Sequence, residues 1–362
     1  MVEAGLAGRI VFAGGGTGGH VYPAVAVAQA VEKRHPGLEV VFIGTGSAFE
    51  ERVVSGHGFR LLKVSSRGFL GKGLRAKAES LFHSGLGVFQ SLRILWELKP
   101  QAVVGVGGYA SGPVVAGAIL LRIPTMIQEQ NYSPGLANRI LARWVDRIAV
   151  SFEETRDFLG GRGEVTGNPI RMEFASMKPK SRGTPFCVLI FGGSQGAMTL
   201  NQRMLEALPL LAGLRLALRI VHMTGEKDFA RVEAAYQAER LDARVVPYIE
   251  NMAEEYAKAD LVIARSGATT VAELTACRKA SLLVPFPHAA GDHQRLNAEK
   301  LERSGAARVV PEKDLTGTRL AQEIEDLLRN PDRVTAMERA AAPLARPDAT
   351  MRVAELLDEL IA

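Results

Sequence analysis

The chain has 362 residues, of which 47% are hydrophobic and 23% are charged, and its 44 basic and 39 acidic residues give a formal net charge of +5. This length exceeds what one hydrophobic core usually supports, so it predicts two domains, and the balanced composition excludes fibrous and low-complexity proteins. The two cysteines, Cys187 and Cys277, have no metal-ligand spacing, exclude a disulfide framework and indicate a reducing, cytosolic compartment.

Short β-branched segments alternate with helical segments along both halves of the chain. They read IVFAG, VVFIG, AVVGV, PTMIQ and RIAVS in the first half, and PFCVLIFGG, LRIVHMTG, ARVVPY, LVIARSG and ASLLVPF in the second. This order predicts an α/β fold of two doubly wound, Rossmann-like parallel-sheet domains, with the ligand in a cleft between them. We place the first domain at 1–166, a linker at 167–184, the second domain at 185–344, and at 345–362 a C-terminal helix whose packing, on the first domain or elsewhere, stays open.

The first predicted strand leads into the glycine-rich segment FAGGGTGGH, residues 12–20. Gly14, Gly16 and Gly19 match the dinucleotide-binding motif G-x-G-x-x-G, which also expects an acidic residue at the end of the second strand to hold a ribose. That strand ends instead in Gly44 and Thr45. The missing acid makes a nicotinamide-dependent dehydrogenase a weak alternative, and the lack of a Gly-Lys-Ser/Thr sequence after the glycines excludes a P-loop.

The segment from Arg60 to Lys99 combines basic and apolar residues. It holds eight basic and two acidic residues among leucines, phenylalanines and a tryptophan. This pattern fits a surface that binds anionic lipid headgroups, and it equally fits an ordinary helix with a solvated basic face. Nucleic acid is the weaker option because aromatic stacking residues are few elsewhere. The uncharged stretch from Pro100 to Leu121 contains five glycines and, in its interior, Pro113, which favours a buried strand and a loop over a membrane span.

Two further glycine loops, VGVGGYASGP and IFGGSQGA, follow predicted strands and open helices. Because a helix N-terminus favours negative charge, three such loops indicate polyanionic or polyhydroxyl ligands. In the second half, the segment RSGATTVAE carries Glu273 one turn inside a predicted helix, where a carboxylate could accept hydrogen bonds from a ribose or complement the helix dipole. The polar residues Asp292, His293, Gln294 and Asn297 follow the next apolar strand and fit a sugar site.

A series of motifs in this chain resembles the MurG family of N-acetylglucosaminyltransferases, which complete the lipid-linked peptidoglycan precursor. The motifs are GGGTGGHVYPAVAVA, GVGGYASGPVVAGA, QEQNYSPGLANRIL, TGNPIR, FGGSQGA and ARSGATTVAELTACRKASLLVPFPHAAGDHQRLNA, in the order of the family and spanning residues 12–298. The resemblance implies a GT-B fold and peripheral association with the cytoplasmic face of the bacterial membrane. It further implies UDP-N-acetylglucosamine as donor and undecaprenyl-pyrophosphoryl-N-acetylmuramyl pentapeptide as acceptor.

The resemblance also implies which residues contact the donor. Carried over by position, they are Thr17, Gly18, Gly19, Asn131, Arg171, Ser194, Ile249, Ala268, Thr269, Thr270, Val271, Ala272, Glu273 and Gln294. Ser194 lies in a glycine loop at a predicted helix start and could hold the diphosphate, whose charge Arg171 could neutralise. Ile249 could equally be a core residue. The sequence has no Asp-x-Asp pair, so we expect neither a metal ion nor another cofactor. Gln128 stands where most of the family has histidine.

The implied reaction is a single displacement at the anomeric carbon that inverts an α-linked donor to a β-linked product. A base must accept the proton of the acceptor hydroxyl, and the candidates are His20 and Glu129. His20 is favoured because a helix N-terminus disfavours positive charge and so favours a neutral ring that can accept a proton. A UDP-sugar epimerase and a non-catalytic nucleotide-binding or lipid-binding protein remain as other interpretations of the same loops.

Overall fold

The computed structural model describes residues 8–66, 74–177, 183–193 and 196–362, and along residues 74–82 it describes the helical backbone only. The strands of these residues are β1 (Gly8–Ala13), β2 (Leu38–Gly44), β3 (Arg60–Lys63), β4 (Ala102–Gly105), β5 (Thr125–Glu129), β6 (Arg147–Val150), β7 (Glu164–Val165), β8 (Phe186–Phe191), β9 (Leu218–Met223), β10 (Asp242–Val246), β11 (Leu261–Ala264), β12 (Ala280–Leu283) and β13 (Ala307–Val309).

Helices connect most of these strands, as the alternating sequence pattern predicts. In chain order they are α1 (Gly18–Arg34), α2 (Ala48–Gly56), α3 (Leu74–Leu98), α4 (Ser111–Leu120), α5 (Leu136–Leu141), α6 (Met172–Ala175), α7 (Met198–Leu211), α8 (Phe229–Glu239), α9 (Met252–Lys258), α10 (Ala268–Ala276), α11 (His293–Arg303), α12 (Gly317–Arg329), α13 (Pro331–Ala341) and α14 (Ala349–Ile361). The chain divides into unit 1, Met1–Arg171 with Asp348–Ala362, and unit 2, Met172–Pro347.

Unit 1 is built on a parallel sheet in the strand order β3-β2-β1-β4-β5-β6-β7. Ile10 and Phe12 of β1 enter an apolar cluster with α1, while Val11 and Ala13 enter a second cluster with α4. Alternate side chains of a strand point to opposite faces, so a strand covered by helices on both faces is apolar throughout. The predicted doubly wound domain is therefore confirmed for the first half of the chain.

The C-terminal helix α14 packs within unit 1. Val353 and Leu357 are buried in the same cluster as α1. At the end of α1, Arg34 Nη2 donates to Asp358 Oδ2 at 2.7 Å, and His35 Nε2 lies 2.8 Å from Asp358 Oδ1. Its amphipathic sequence alone leaves the partner open, because one apolar face can cover many apolar surfaces.

Unit 2 repeats the architecture with the strand order β10-β9-β8-β11-β12-β13, again parallel in every pairing. Its core lies between the sheet and helices α7, α8, α12 and α13. In each unit the strand order reverses beside the first strand, between β1 and β4 in unit 1 and between β8 and β11 in unit 2. Loops that leave the carboxyl ends of such strands form the ligand site of a doubly wound sheet.

A buried polar network joins β9 to two helices of unit 2. His222 is fully buried; its Nε2 donates to Asn201 Oδ1 at 3.1 Å, and Tyr236 Oη donates to its Nδ1 at 3.1 Å. Asn201 Nδ2 in turn donates to Thr224 O at 2.9 Å and to Asp228 Oδ2 at 2.8 Å. Asn201 Oδ1 can only accept, so it fixes a hydrogen on Nε2 of His222, and in the neutral ring that burial favours, Nδ1 accepts from Tyr236.

Acid should weaken unit 2 through this histidine. Burial lowers the pKa of His222 to about 3, whereas an unfolded histidine titrates near pH ~6.5. Between these values the unfolded chain binds a proton that the folded chain excludes, so stability is complete above the unfolded pKa and falls as the pH falls, by at most about 1.4 kcal/mol per pH unit. We expect His222→Gln to reduce this slope in urea unfolding between pH ~5 and ~6.5, above the carboxylate range.

His57→Gln is the matched control, because His57 is exposed on unit 1 and its replacement should leave the slope unchanged. Parallel stability profiles for the wild type and His222→Gln would contradict the assignment.

Candidate active site

The loops after β1 and β4 pack directly against each other at the switch point of unit 1. A Cβ atom built on Gly108, which has φ +79°, would lie 2.1 Å from the carbonyl oxygen of Gly15. The glycine-rich sequences of both loops are therefore needed for this close backbone contact. Helix α1 begins directly after the first loop at Gly18, without a side-chain cap on its N-terminus.

His20 lies in the first turn of α1, where its side chain is half-buried. Its Nδ1 is 3.1 Å from Oε1 of Gln130, which follows β5. The Gln130 side chain is buried, and its Nε2 donates to Val106 O at 2.8 Å and to Oε1 of Gln128. The fold brings His20 and Gln130 together across 110 positions, because β1 and β5 end at the same edge of the sheet.

Glu129, the other candidate base, is buried at the end of β5 and accepts four hydrogen bonds from the loop that follows. Its Oε1 accepts from the backbone N of Asn131 at 2.9 Å and from Asn131 Nδ2 at 3.2 Å. Its Oε2 accepts from the backbone N of Gly135 at 3.0 Å and from Asn138 Nδ2 at 2.9 Å. The carboxylate therefore organises this loop, and both of its oxygens are engaged.

Arg171, the last residue of the continuous part of unit 1, also reaches α1. Its guanidinium carbon lies 5.0 Å from the centroid of the Tyr22 ring, and Tyr22 in turn packs edge-on against Phe49 with ring centroids 6.2 Å apart. A Cβ on Gly18 would lie 3.2 Å from the same tyrosine ring. Unit 1 thus brings one set of the predicted site residues to one edge of its sheet: Thr17, Gly18, Gly19, His20, Glu129, Asn131 and Arg171.

In unit 2 the loop after β11 is held by the start of α11. Ser266 is fully buried and its Oγ donates to Gln294 O at 2.8 Å. Asn297 Nδ2 donates to Ser266 O at 3.2 Å. Asn297 is fully buried, so it supports the loop, and its place in a sugar site stays a prediction. Gln294 is partly exposed, and its Oε1 accepts from the backbone N of Phe286 at 3.0 Å.

Helix α10 begins after this loop at Ala268, with Gly267 as N-cap and no side-chain cap. Its first-turn residues Thr269 and Thr270 are partly exposed, as is Ala272, whereas Ala268 and Val271 are buried. Glu273 is only 7% exposed. A helix N-terminus without a side-chain cap suits the binding of an anion.

Ile249 and Ser194 are predicted donor contacts that lie outside the loops described above. Ile249 is buried and its backbone N donates to Met223 Sδ at 3.3 Å, which are the contacts of a core residue. Ser194 lies outside the described residues, as do Phe69, Leu70 and Lys72 of the segment from Arg60 to Lys99 that was predicted to bind lipid. The donor-binding roles of Ile249 and Ser194 stay predictions.

Comparison with known proteins identifies the family. Residues 10–150 match the glycosyltransferase family 28 N-terminal domain, and residues 187–358 match its C-terminal domain. The chain is 46% identical over 356 residues to the UDP-N-acetylglucosamine–N-acetylmuramyl-(pentapeptide) pyrophosphoryl-undecaprenol N-acetylglucosamine transferase of Myxococcus xanthus (strain DK1622), covering 98% of this chain and 93% of that protein. A crystal structure of Acinetobacter baumannii MurG aligns with a TM-score of 0.78 and 32% identity over 97% of this chain and 99% of that one. The chain belongs to the MurG family of glycosyltransferases.

Its fold is shared more widely than its family. A putative UDP-N-acetylglucosamine 2-epimerase from Listeria monocytogenes aligns with a TM-score of 0.72 over 98% of this chain and 96% of that one, but with 14% identity. Identity this low supports the fold alone. The predicted fold class of two Rossmann-like parallel-sheet domains and the resemblance to the MurG family are both confirmed.

Sequence reasoning missed Glu50, which organises the first glycine loop of this MurG-family chain. The side chain is 1% exposed. Its Oε1 accepts from the backbone N of Gly16 at 2.6 Å and from Thr45 Oγ1 at 2.8 Å, and its Oε2 accepts from the backbone N of Gly46 at 2.8 Å. In a dinucleotide-binding loop the second glycine lets the backbone approach a pyrophosphate. Here a resident carboxylate binds that backbone N–H, which disfavours a second anion at the same place.

One local signal pointed to Glu50. The sequence Ser47-Ala-Phe-Glu50 has the spacing of a capping box, and the structure contains one at the start of α2. The signal predicts a helix start, but it does not predict that the same carboxylate also reaches Gly16, 34 positions earlier.

Glu50→Ala should destabilise unit 1 without touching a predicted site residue. The substitution leaves the N–H groups of Gly16 and Gly46 and the Thr45 hydroxyl without their acceptor, and we expect a loss of about 2–4 kcal/mol in the free energy of unfolding. Urea unfolding measures it. Glu51→Ala is the matched control, since the side chain of Glu51 is 48% exposed and its ion pair with Lys63 contributes at most about 1 kcal/mol. Equal effects of the two substitutions would contradict the role of Glu50.

Proposed function

We propose that this chain transfers N-acetylglucosamine from UDP-N-acetylglucosamine to a lipid-linked N-acetylmuramyl-pentapeptide acceptor. The observation that carries the reaction is the similarity to the Myxococcus xanthus transferase across 98% of the chain, because it includes both units with their loops. Similarity confined to the sheets would support only a fold.

Unit 2 supplies most of the donor contacts in this proposal. The uncapped N-terminus of α10, with Thr269 and Thr270, suits the diphosphate, because helix N-terminal N–H groups and the dipole favour negative charge. The partly exposed amide of Gln294 suits a sugar hydroxyl. The family resemblance adds Ser194 and Arg171 to the proposed donor contacts, and the positive charge of Arg171 suits the leaving diphosphate.

His20 is the proposed base. An oxygen of the acceptor sugar forms the new bond to the anomeric carbon of the donor as the bond to UDP breaks, and the hydroxyl proton passes to the imidazole. His20 is half-buried with one ring nitrogen engaged by Gln130, so its other nitrogen is available. Glu129 is the weaker candidate because both of its oxygens are occupied by the loop that it organises.

The experiment that tests the reaction follows labelled sugar into lipid. Purified protein is incubated with UDP-N-acetylglucosamine labelled in the sugar, with and without the lipid-linked muramyl acceptor. We expect label in the organic extract only when the acceptor is present, and turnover that persists in excess EDTA, since the sequence carries no Asp-x-Asp pair. An isomerised sugar nucleotide formed without acceptor would instead indicate an epimerase, and activity that EDTA abolishes and magnesium restores would contradict metal independence.

We further propose that one face of α3 binds the anionic surface of the cytoplasmic membrane leaflet. Phe89 and Trp96 are 67% and 69% exposed. Leu86, Phe89, the exposed Arg93 and Trp96 are spaced three or four residues apart, which places them on one side of the helix. Aromatic residues beside a cation suit the interface between acyl chains and anionic headgroups. No helix in the described ranges combines the length and apolar character needed to span a bilayer.

Replacing Phe89 and Trp96 together by alanine should weaken binding to vesicles of phosphatidylglycerol and phosphatidylcholine by about 30- to 1000-fold. Each side chain contributes about 1.5–3 kcal/mol when fully buried, and about two-thirds of each is exposed before binding. Vesicle sedimentation measures the change. A second variant, with Phe69, Leu70, Lys72 and Arg75 replaced, tests the residues that come before this face in the same segment. The matched control is Leu216→Ala, because Leu216 is 89% exposed on unit 2. Unchanged binding of both multiple variants would show that the membrane surface lies elsewhere.

A further inference from the structure

Three buried amides form a chain behind His20. Gln130, Gln128 and Asn168 are each at most 5% exposed. Starting from His20 Nδ1, the hydrogen bonds run to Gln130 Oε1 at 3.1 Å, from Gln130 Nε2 to Gln128 Oε1, and from Gln128 Nε2 to Asn168 Oδ1 at 3.4 Å. The residues come from α1, from the end of β5 and from the segment after β7, so the chain crosses the carboxyl edge of the sheet.

The direction of these hydrogen bonds follows from a backbone atom. The carbonyl oxygen of Val106 can only accept, and it lies 2.8 Å from the terminal nitrogen of Gln130. The NH₂ group of Gln130 must therefore face Val106, and its amide oxygen must face His20. An amide oxygen can only accept, so the hydrogen on the imidazole is placed on Nδ1.

The next amide reinforces the same direction. The second hydrogen of Gln130 Nε2 is donated to Gln128 Oε1, and the Gln128 NH₂ group is then directed to Asn168 Oδ1. Inverting Gln130 would place its oxygen against the oxygens of Val106 and Gln128 and would break two hydrogen bonds. Two buried hydrogen bonds are costly to lose, so Gln130 holds one orientation.

We infer that Gln130, supported by Gln128, is a positioning residue that holds His20 as the Nδ1–H tautomer and makes Nε2 the proton-accepting atom. This rests on the proposed function, in which His20 is the base. During the transfer, Nε2 takes the acceptor proton and Nδ1 keeps its own, still donated to Gln130. A neutral amide orients the ring without placing a negative charge beside it, unlike the carboxylate of a catalytic triad.

Nitrogen NMR of the histidine rings tests the inference directly. In long-range ¹H–¹⁵N spectra of protein with ¹⁵N-labelled histidine at neutral pH, we expect His20 to show a protonated Nδ1 and an unprotonated Nε2. His222 is an internal reference with the opposite tautomer, because its Nε2 donates to Asn201 and its Nδ1 accepts from Tyr236. Spectra of His20→Gln and His222→Gln assign the two rings among the seven histidines.

Substitutions of the amides then separate positioning from general stability. Gln130→Leu keeps the volume and removes the hydrogen bonds of Gln130 to His20, Val106 and Gln128. We expect a mixed or Nε2–H tautomer of His20, kcat lower by about 10- to 100-fold, and a donor KM within about twofold of the wild type. Gln128→Leu should shift the tautomer less. Gln128→His should retain the wild-type tautomer, since a neutral imidazole also offers one acceptor and one donor nitrogen. Unchanged His222 signals report an intact fold.

The outcomes distinguish this inference from the proposed function. A wild-type His20 with its hydrogen on Nε2, or a tautomer that Gln130→Leu leaves unchanged, would overturn the positioning role even if the transferase reaction is confirmed. The wild-type spectrum alone shows which nitrogen of His20 carries the hydrogen. The positioning role can therefore be rejected even if a variant fails to fold. An Nδ1–H tautomer together with full turnover by a His20 variant would instead support the positioning role and remove His20 as the base.

Discussion

His20→Ala should lower turnover by about 10²- to 10⁴-fold, the usual contribution of a general base. The acceptor hydroxyl is a weak nucleophile until its proton is removed, and alanine leaves no group at this position that can accept it. Because the proton moves only in the transition state, kcat and kcat/KM should fall together and the donor KM should change little. Steady-state transfer of labelled N-acetylglucosamine into lipid at saturating donor measures the effect.

The matched control for His20→Ala is His57→Ala, which removes an exposed imidazole at the end of α2 and should leave turnover unchanged. A near-normal rate for His20→Ala would reject His20 as base. The same loss of rate with an equal rise in donor KM would place His20 in ground-state binding instead.

Gly107→Ala should lower turnover by about 10²-fold by displacing the same ring. Gly107 has φ +89°, and a Cβ atom built on it would lie 2.9 Å from both Cε1 and Nδ1 of His20. The ring or the loop must shift, and a displacement of about 1 Å in a catalytic group can cost 10²-fold in rate. The Nδ1 contact with Gln130 should be lost at the same time, since the new methyl group lies against that nitrogen.

Gly58→Ala separates the steric effect on His20 from backbone strain. Gly58 has a similar φ of +82°, and a Cβ there would meet no atom within 4 Å. Both substitutions carry the strain of a left-handed residue, about 1–2 kcal/mol, but only Gly107→Ala should lower kcat in molecules that remain folded. Equal kinetic effects would show that the loss arises from stability alone.

The fold class could be predicted from local patterns. Apolar segments such as IVFA and AVVG alternate with helical segments, and this periodicity fixes a parallel, doubly wound sheet before any long-range contact is known. Glycine loops at the strand ends were likewise readable, since short-range turn chemistry places them there. The family resemblance extended the prediction to the donor, the acceptor and a set of site residues.

The roles of individual polar residues were less predictable. The sequence offers His20 and Glu129 as bases and favours His20 only by its place at a helix N-terminus. The structure adds that Glu129 accepts four hydrogen bonds, whereas one nitrogen of His20 is available. The sequence groups Asn297 with the polar residues of a sugar site, and the structure buries it fully against Ser266 of the loop after β11. Burial and hydrogen-bond partners depend on residues far away in the chain, which local pattern does not contain.

Periodicity and motifs of neighbouring residues were enough to predict the α/β architecture, the positions of the glycine loops and the MurG family. The bond of Glu50 to the backbone of Gly16, 34 positions away, and the contact of Gln130 with His20, 110 positions away, became visible in the folded chain. The physical reason is that a hydrogen bond acts over about 3 Å of space without regard to separation along the chain, and the parallel sheet alone brings these strand ends to one edge.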